Sequence, residues 1–212
     1  MEEFIIEGGK PLSGEITPSG NKNAALPLLA ACLLTDEPIV LRNVPQIRDV
    51  LAMRKLIESL GAVVEELDSH VWQITTKELI ASHLDPELCR KIRASILIAG
   101  PVLARAGGLK LPPPGGDVIG RRRLDTHILA LRALGAKIDY NRVFEISATK
   151  LRGADILLDE ASVTATENAV MAAVLAEGMT QLRNAASEPH VQELCNFLNI
   201  LGAKIEGIGS NT

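Results

Sequence analysis

Three copies of the tripeptide Leu-Gly-Ala, at 60–62, 134–136 and 201–203, constrain this chain more than any other feature. Each closes a stretch with apolar residues three or four apart. The first holds Ile47, Val50, Leu51, Ile57 and Leu60; the second Leu124, Ile128, Leu131 and Leu134; the third Val191, Leu194, Cys195, Leu198 and Leu201. That spacing puts one apolar stripe on a helix, and a glycine then ends the helix at low steric cost. Strand candidates follow at 63–67, 137–140 and 203–206. Upstream of each copy, residues 24–34, 94–105 and 169–176 are apolar at nearly every position. Such helices are buried on all sides. Further strand candidates, 38–42, 108–112 and 179–183, separate the two helices of each unit. The order predicts strand–helix–strand–helix–strand units with right-handed crossovers. The fold class is therefore α/β, with three inner apolar helices, three outer helices and sheets between them.

Composition narrows the function. The chain has 212 residues, 47% of them apolar, which suffices for a buried core. Its net charge of −4 argues against a generic nucleic-acid binder. Aromatic residues make up 2%, too few for base-stacking platforms. The core must be built from Leu, Ile, Val and Ala. Cys32, Cys89 and Cys195 form no close pair, so neither a disulfide framework nor a Cys-rich zinc site is expected. No apolar run is long enough to span a bilayer, and no signal-peptide pattern opens the chain. A reducing cytoplasm is the expected setting.

The repeat also exposes a gap. Hairpins are expected at 63–67 with 71–75 and at 137–140 with 143–148, but 203–206 has no return strand after its turn. Either a strand at 3–7 supplies the pairing, or the chain is part of something longer. The second expectation is favoured.

Three polar segments interrupt the apolar plan. Ser19-Gly20-Asn21-Lys22-Asn23 precedes the first inner helix. A lysine and backbone N–H groups at a helix start suit an anion, although a capped helix with a solvated lysine looks the same. Residues 112–127, PPPGGDVIGRRRLDTH, offer Asp117 and then Arg121, Arg122 and Arg123. Arginine clusters suit phosphate through planar, forked donors; a solvated charged loop is the alternative. Asp125 and His127 alone do not make a metal site. Residues 159–168, DEASVTATEN, hold Ser162, Thr164 and Thr166, which suit helix caps or a ligand. Arg93 opens the second inner helix. These segments flank corresponding elements of the repeat, so the fold can gather them at one end.

SGNKNAALP at 19–27, IRASILIAGP at 92–101, LPPPGGDVIGRRRLDTHI at 111–128 and ASVTATENAVMAAVLAEG at 161–178 resemble the UDP-N-acetylglucosamine 1-carboxyvinyltransferase family of enolpyruvyl transferases. The likeness runs through essentially the whole chain. It implies an inside-out α/β barrel domain of three repeated units. It also implies that 1–20 join a second domain, absent here, and that 21–212 form the first. The implied reaction moves enolpyruvyl from phosphoenolpyruvate to the 3-hydroxyl of UDP-N-acetylglucosamine, releases phosphate and commits material to peptidoglycan. No cofactor or metal is implied, and no nucleic-acid or membrane partner. By motif match, Lys22 and Asn23 contact phosphoenolpyruvate, Arg122 clamps phosphate, and Arg93 serves the UDP-sugar. Arg122, Arg123, Leu124, Asp125 and Thr126 line the nucleotide, as do Glu160, Ala161, Ser162 and Val163. Asp117 stands where the family usually has cysteine and is read as the catalytic proton donor. A 212-residue half is expected to turn over nothing alone. The alternative is a non-catalytic UDP-sugar-binding or regulatory paralogue of the same fold.

Overall fold

A computed structural model describes residues 3–80, 84–116 and 123–212. The Leu-Gly-Ala copies are its clearest regularity. They end α2 (Arg48–Ser59), α5 (Asp125–Ala133) and α7 (Pro189–Ile200). Gly61, Gly135 and Gly202 take φ values of 101°, 103° and 104°. The alanine N–H then reaches back five residues: Ala62 to Ile57 O, Ala136 to Leu131 O and Ala203 to Leu198 O, each within 3.1 Å. This is the Schellman cap, which needs a residue at positive φ and therefore favours glycine.

The remaining helices are α1 (Lys22–Ala31), α3 (Pro86–Lys91), α4 (Ala99–Ala106) and α6 (Val163–Ala173). The predicted inner helices 24–34 and 94–105 each contain a 3-10 stretch, at Cys32–Leu34 and Arg93–Ile98. The third starts earlier than its apolar run, because Ser162 caps α6 by accepting from Ala165 N. Helices α4 and α6 pack directly together, and α1 contacts both α2 and α7. Leu29, Ala30, Leu33, Ile98, Ala99, Val102, Ala165 and Ala172 are fully buried among them. Small aliphatic residues let these backbones approach closely.

Two antiparallel sheets cover this interior. The first joins β1 (Ile39–Arg42), β2 (Val63–Asp68) and β3 (Val71–Thr75) in the order β1-β3-β2. The second joins β4 (Gly108–Leu111), β5 (Lys137–Asn141) and β6 (Val143–Ser147) in the order β4-β6-β5. The hairpin's return strand thus inserts between the two strands that the helix connects. That corrects the simple crossover expectation: β1 and β2 run parallel but do not touch. Alternation sets the face, with Ile39 and Leu41 inward against Ile74 and Trp72.

The third sheet differs. β7 (Asp155–Leu157) pairs in parallel with β8 (Gln181–Arg183). Residues 203–206 are not a strand, and neither are 3–7. Phe4, Ile5, Ile6, Leu12 and Ile16 are 86–99% exposed. The proposed pairing of 3–7 with 203–206 therefore does not occur here. The turn after 203–206 is nevertheless held much as the β2–β3 turn is. Val44 N donates to His70 O, and Ala185 N donates to Asn211 O. The preceding residues, Asn43 and Asn184, take φ of 56° and 57°.

Candidate functional site

Corresponding links of the fold differ most where the arginine-rich segment lies. The β1–α2 and β8–α7 links span 43–47 and 184–188, while the β4–α5 link spans 112–124. Its glycines seat it. Gly115 N donates to Cys89 O and Gly116 N to Arg90 O, both at 3.0 Å. A Cβ on Gly115 would sit 1.8 Å from Arg90 O, so only glycine allows this approach. Gly116, at φ 87°, lies against the Arg93 backbone. The Gly-Gly pair therefore brings the loop beside Arg93 just before Asp117 begins. Asp117, Arg121 and Arg122 lie outside the described residues.

Three distant stretches meet beyond that point. Arg93 Nη2 donates to Arg123 O at 3.2 Å. Arg123 pairs with Asp125 at 3.2 Å, both side chains being exposed. Leu124 precedes α5 and accepts from Ile128 N. Thr126 Oγ1 donates to Asp159 Oδ1 at 2.7 Å, tying the start of α5 to the approach of α6. Glu160 O then accepts from Ser162 N at 2.8 Å. Glu160 and Ala161 are exposed, and Ser162 and Val163 half-buried. Arg93, the 123–126 segment and the 159–163 segment thus form one cluster. The start of α6 adds a helix dipole whose positive end favours an anion.

Lys22 and Asn23 stand at the start of α1, capped by Asn21, whose Oδ1 accepts from Asn23 N at 2.7 Å. Lys22 Nζ pairs with Asp49 at 2.8 Å, and both side chains are well exposed. Such a pair is worth about 0–1 kcal/mol, so an arriving anion can take Lys22 at little cost. Helix α1 also packs against the 3-10 helix that Arg93 opens. The sequence reading missed Asp49, Asp159 and the buried polar groups beneath the cluster. A signal existed for the last: Glu167 and Asn168 are polar residues next to an otherwise apolar helical run.

Glu167 is 1% exposed, and its Oε1 has no hydrogen-bond partner among the described residues. Burial, with a smaller push from the charge of Glu188, raises its carboxyl to about 8. The folded protein then keeps a proton that the unfolded chain releases near the ordinary 4.5. Stability must fall as pH rises through that window. Glu167→Gln mimics the neutral acid. It should raise the melting temperature at pH 8–9 by about 5–10 °C and leave it unchanged below pH 4.5. Calorimetry at the two pH values checks this; an equal effect at both would remove Glu167 as the titrating group.

The family model for EPSP synthase (3-phosphoshikimate 1-carboxyvinyltransferase) matches residues 6–212. A Bradyrhizobium diazoefficiens protein named UDP-N-acetylglucosamine 1-carboxyvinyltransferase is 63% identical over 210 residues, covering 99% of this chain and 49% of its own length. A Treponema denticola protein of the same name is 59% identical, covering 100% of this chain and 50% of its own. The chain thus spans about half the length of the curated relatives it matches. Among solved structures, the enolpyruvyl transferase NikO from Streptomyces tendae superposes with a TM-score of 0.78 at 21% identity, over 94% of this chain and 47% of that one. An EPSP synthase from Acinetobacter baumannii gives 0.73 at 20% identity, over 92% and 45%. These likenesses share a mixed α/β fold. With the family model covering nearly every residue, the chain belongs to the EPSP synthase family of enolpyruvyl transferases.

Proposed function

We propose that this chain carries the nucleotide-sugar half of an enzyme that moves enolpyruvyl from phosphoenolpyruvate to the 3-hydroxyl of UDP-N-acetylglucosamine. Phosphate leaves, and the product enters peptidoglycan synthesis. The observation that carries the reading is the cluster of Arg93, 123–126 and 159–163, built from three distant stretches by direct hydrogen bonds. The names of relatives up to 63% identical support the substrate. In this reading 21–212 form the first domain, an inside-out α/β barrel of three units, and 1–20 belong to a second domain. The exposed apolar residues of the N-terminal segment fit that assignment. The enzyme works in the cytoplasm; among the described residues no helix is long and apolar enough to cross a membrane.

The chemistry divides among the residues. Addition needs a proton on the methylene carbon of the enol while the sugar hydroxyl attacks the adjacent carbon. Elimination then takes a proton back from the new methyl group as phosphate leaves the tetrahedral intermediate, which restores the carbon–carbon double bond. Asp117 supplies the proton. Lys22 and Arg122 hold the phosphate through charge, a term that is often the largest in such catalysis. Asn23 contacts the reacting region. Arg93 and the 123–126 and 160–163 segments hold the UDP-sugar.

Residues 1–212 alone should bind UDP-N-acetylglucosamine weakly and release no phosphate with both substrates present. Calorimetry and a phosphate-release assay test the two halves of that statement. Robust turnover by this chain would refute the division of the site. Absence of nucleotide-sugar binding by the full-length protein would refute the function.

A further inference from the structure

His127 is the third residue of α5 and only 3% exposed. Its Nδ1 lies 3.2 Å from Asn168 Nδ2, and its Nε2 lies 3.2 Å from Thr164 Oγ1. The Asn168 amide is fixed end for end. Its Oδ1 accepts from Gly100 N at 2.6 Å, and its Nδ2 donates to Ile96 O at 3.0 Å. A Cβ on Gly100 would lie 2.6 Å from that Oδ1, so the glycine is what permits the approach. An amide held in this way can only donate toward the ring. Nδ1 must therefore be the bare acceptor, and Nε2 must carry the hydrogen.

That assignment reaches Thr164. Nε2–H donates to Oγ1, which fills one acceptor position of the hydroxyl. Among the described residues, no protein group accepts the hydroxyl's own hydrogen. Thr164 is half-buried on the first turn of α6, two residues after Ser162 and directly after the 159–163 segment of the cluster.

We infer that His127 is a positioning residue for the nucleotide-sugar: it holds the Thr164 hydroxyl so that the hydroxyl donates its hydrogen bond to an oxygen of the bound substrate. The inference rests on the proposed function, since it presumes that substrate. Burial, with the nearby charge of Arg93, pushes the imidazole down to about 3, so the ring stays neutral and the tautomer holds across working pH. The Asn168–His127 pair also ties α5 and α6 to the stretch between Ile96 and Gly100. The three parts of the cluster therefore share one buried anchor.

The test uses the full-length protein and UDP-N-acetylglucosamine as the probe. Thr164→Val keeps the shape and removes the hydroxyl. It should weaken binding by about tenfold or more and leave kcat at saturation within about twofold. His127→Ala should weaken binding by a similar factor, and the double variant by no more than the larger single effect. His127→Gln, which keeps an N–H at about the reach of Nε2, should recover part of the loss. Thr164 is half-buried, so its variant tests the inference even where His127→Ala fails to fold. Wild-type affinity in a folded Thr164→Val, or losses that multiply in the double variant, would overturn the inference and leave the function standing. A wild-type protein that does not bind the probe would overturn the function and this inference together.

Discussion

Asp117→Asn in the full-length protein is expected to lower kcat by about 10²–10⁴-fold while UDP-N-acetylglucosamine binding stays within about twofold. Asparagine copies the shape of the carboxyl group but has no proton to give to carbon. Gly115 and Gly116 hold the described start of the loop through backbone bonds to Cys89 and Arg90. The separation of turnover from binding is therefore the diagnostic result. An ordinary aspartate titrates near about 3.9 and is ionised at neutral pH. Work as an acid requires desolvation to raise it, or a proton taken up within the cycle. Near-normal turnover in the variant, measured as phosphate release, would place the acid elsewhere.

Fosfomycin, an epoxide, should leave the mass of the full-length protein unchanged within this chain, and turnover should persist at concentrations that inactivate a protein with cysteine in the loop. A thiolate is the nucleophile that opens such a ring, and this chain offers none in reach. Cys32, Cys89 and Cys195 are 1%, 0% and 6% exposed. Burial pushes the Cys89 and Cys195 thiols up to about 11 and drives Cys32 further in the same direction. Cys89 sits directly beneath the loop through the Gly115 bond, yet it is sealed from solvent. Asp117, as a carboxylate, is a far weaker nucleophile than a thiolate. Intact-mass measurement followed by peptide mapping decides the matter: an adduct on Asp117 or on any of these cysteines would sink the prediction.

The helices and their ends were legible because their causes are local. A period of 3.6 residues marks a stripe, and a glycine at the right place marks a Schellman cap. The order of strands was less legible. That β3 enters between β1 and β2 depends on pairing at long range, as in Ile39 with Ile74. Alternation gives each strand's face but not its neighbour. The short β7 and α3 carry too few residues for a periodic signal. At the site, motif resemblance placed Arg93, Arg123 and Thr126 among the binding residues, and the structure brings them together. Their partners were hidden. Asp159 is 33 residues from Thr126, and Asn168 is 68 from Gly100. A buried polar residue announces that it needs a partner, but its neighbours in the sequence do not say which.

The short β1–α2 and β8–α7 links and the long β4–α5 link imply a division of labour. The β1–α2 and β8–α7 connections are tight and act as frame. The β4–α5 connection is longer, and under the proposed function its extra residues carry the chemistry. Such growth is cheap, because closing a longer loop costs entropy only logarithmically, and the caps on both sides keep the core unaware of it. A scaffold of near-equivalent parts can thus change what it does by editing one connection, without reopening its interior.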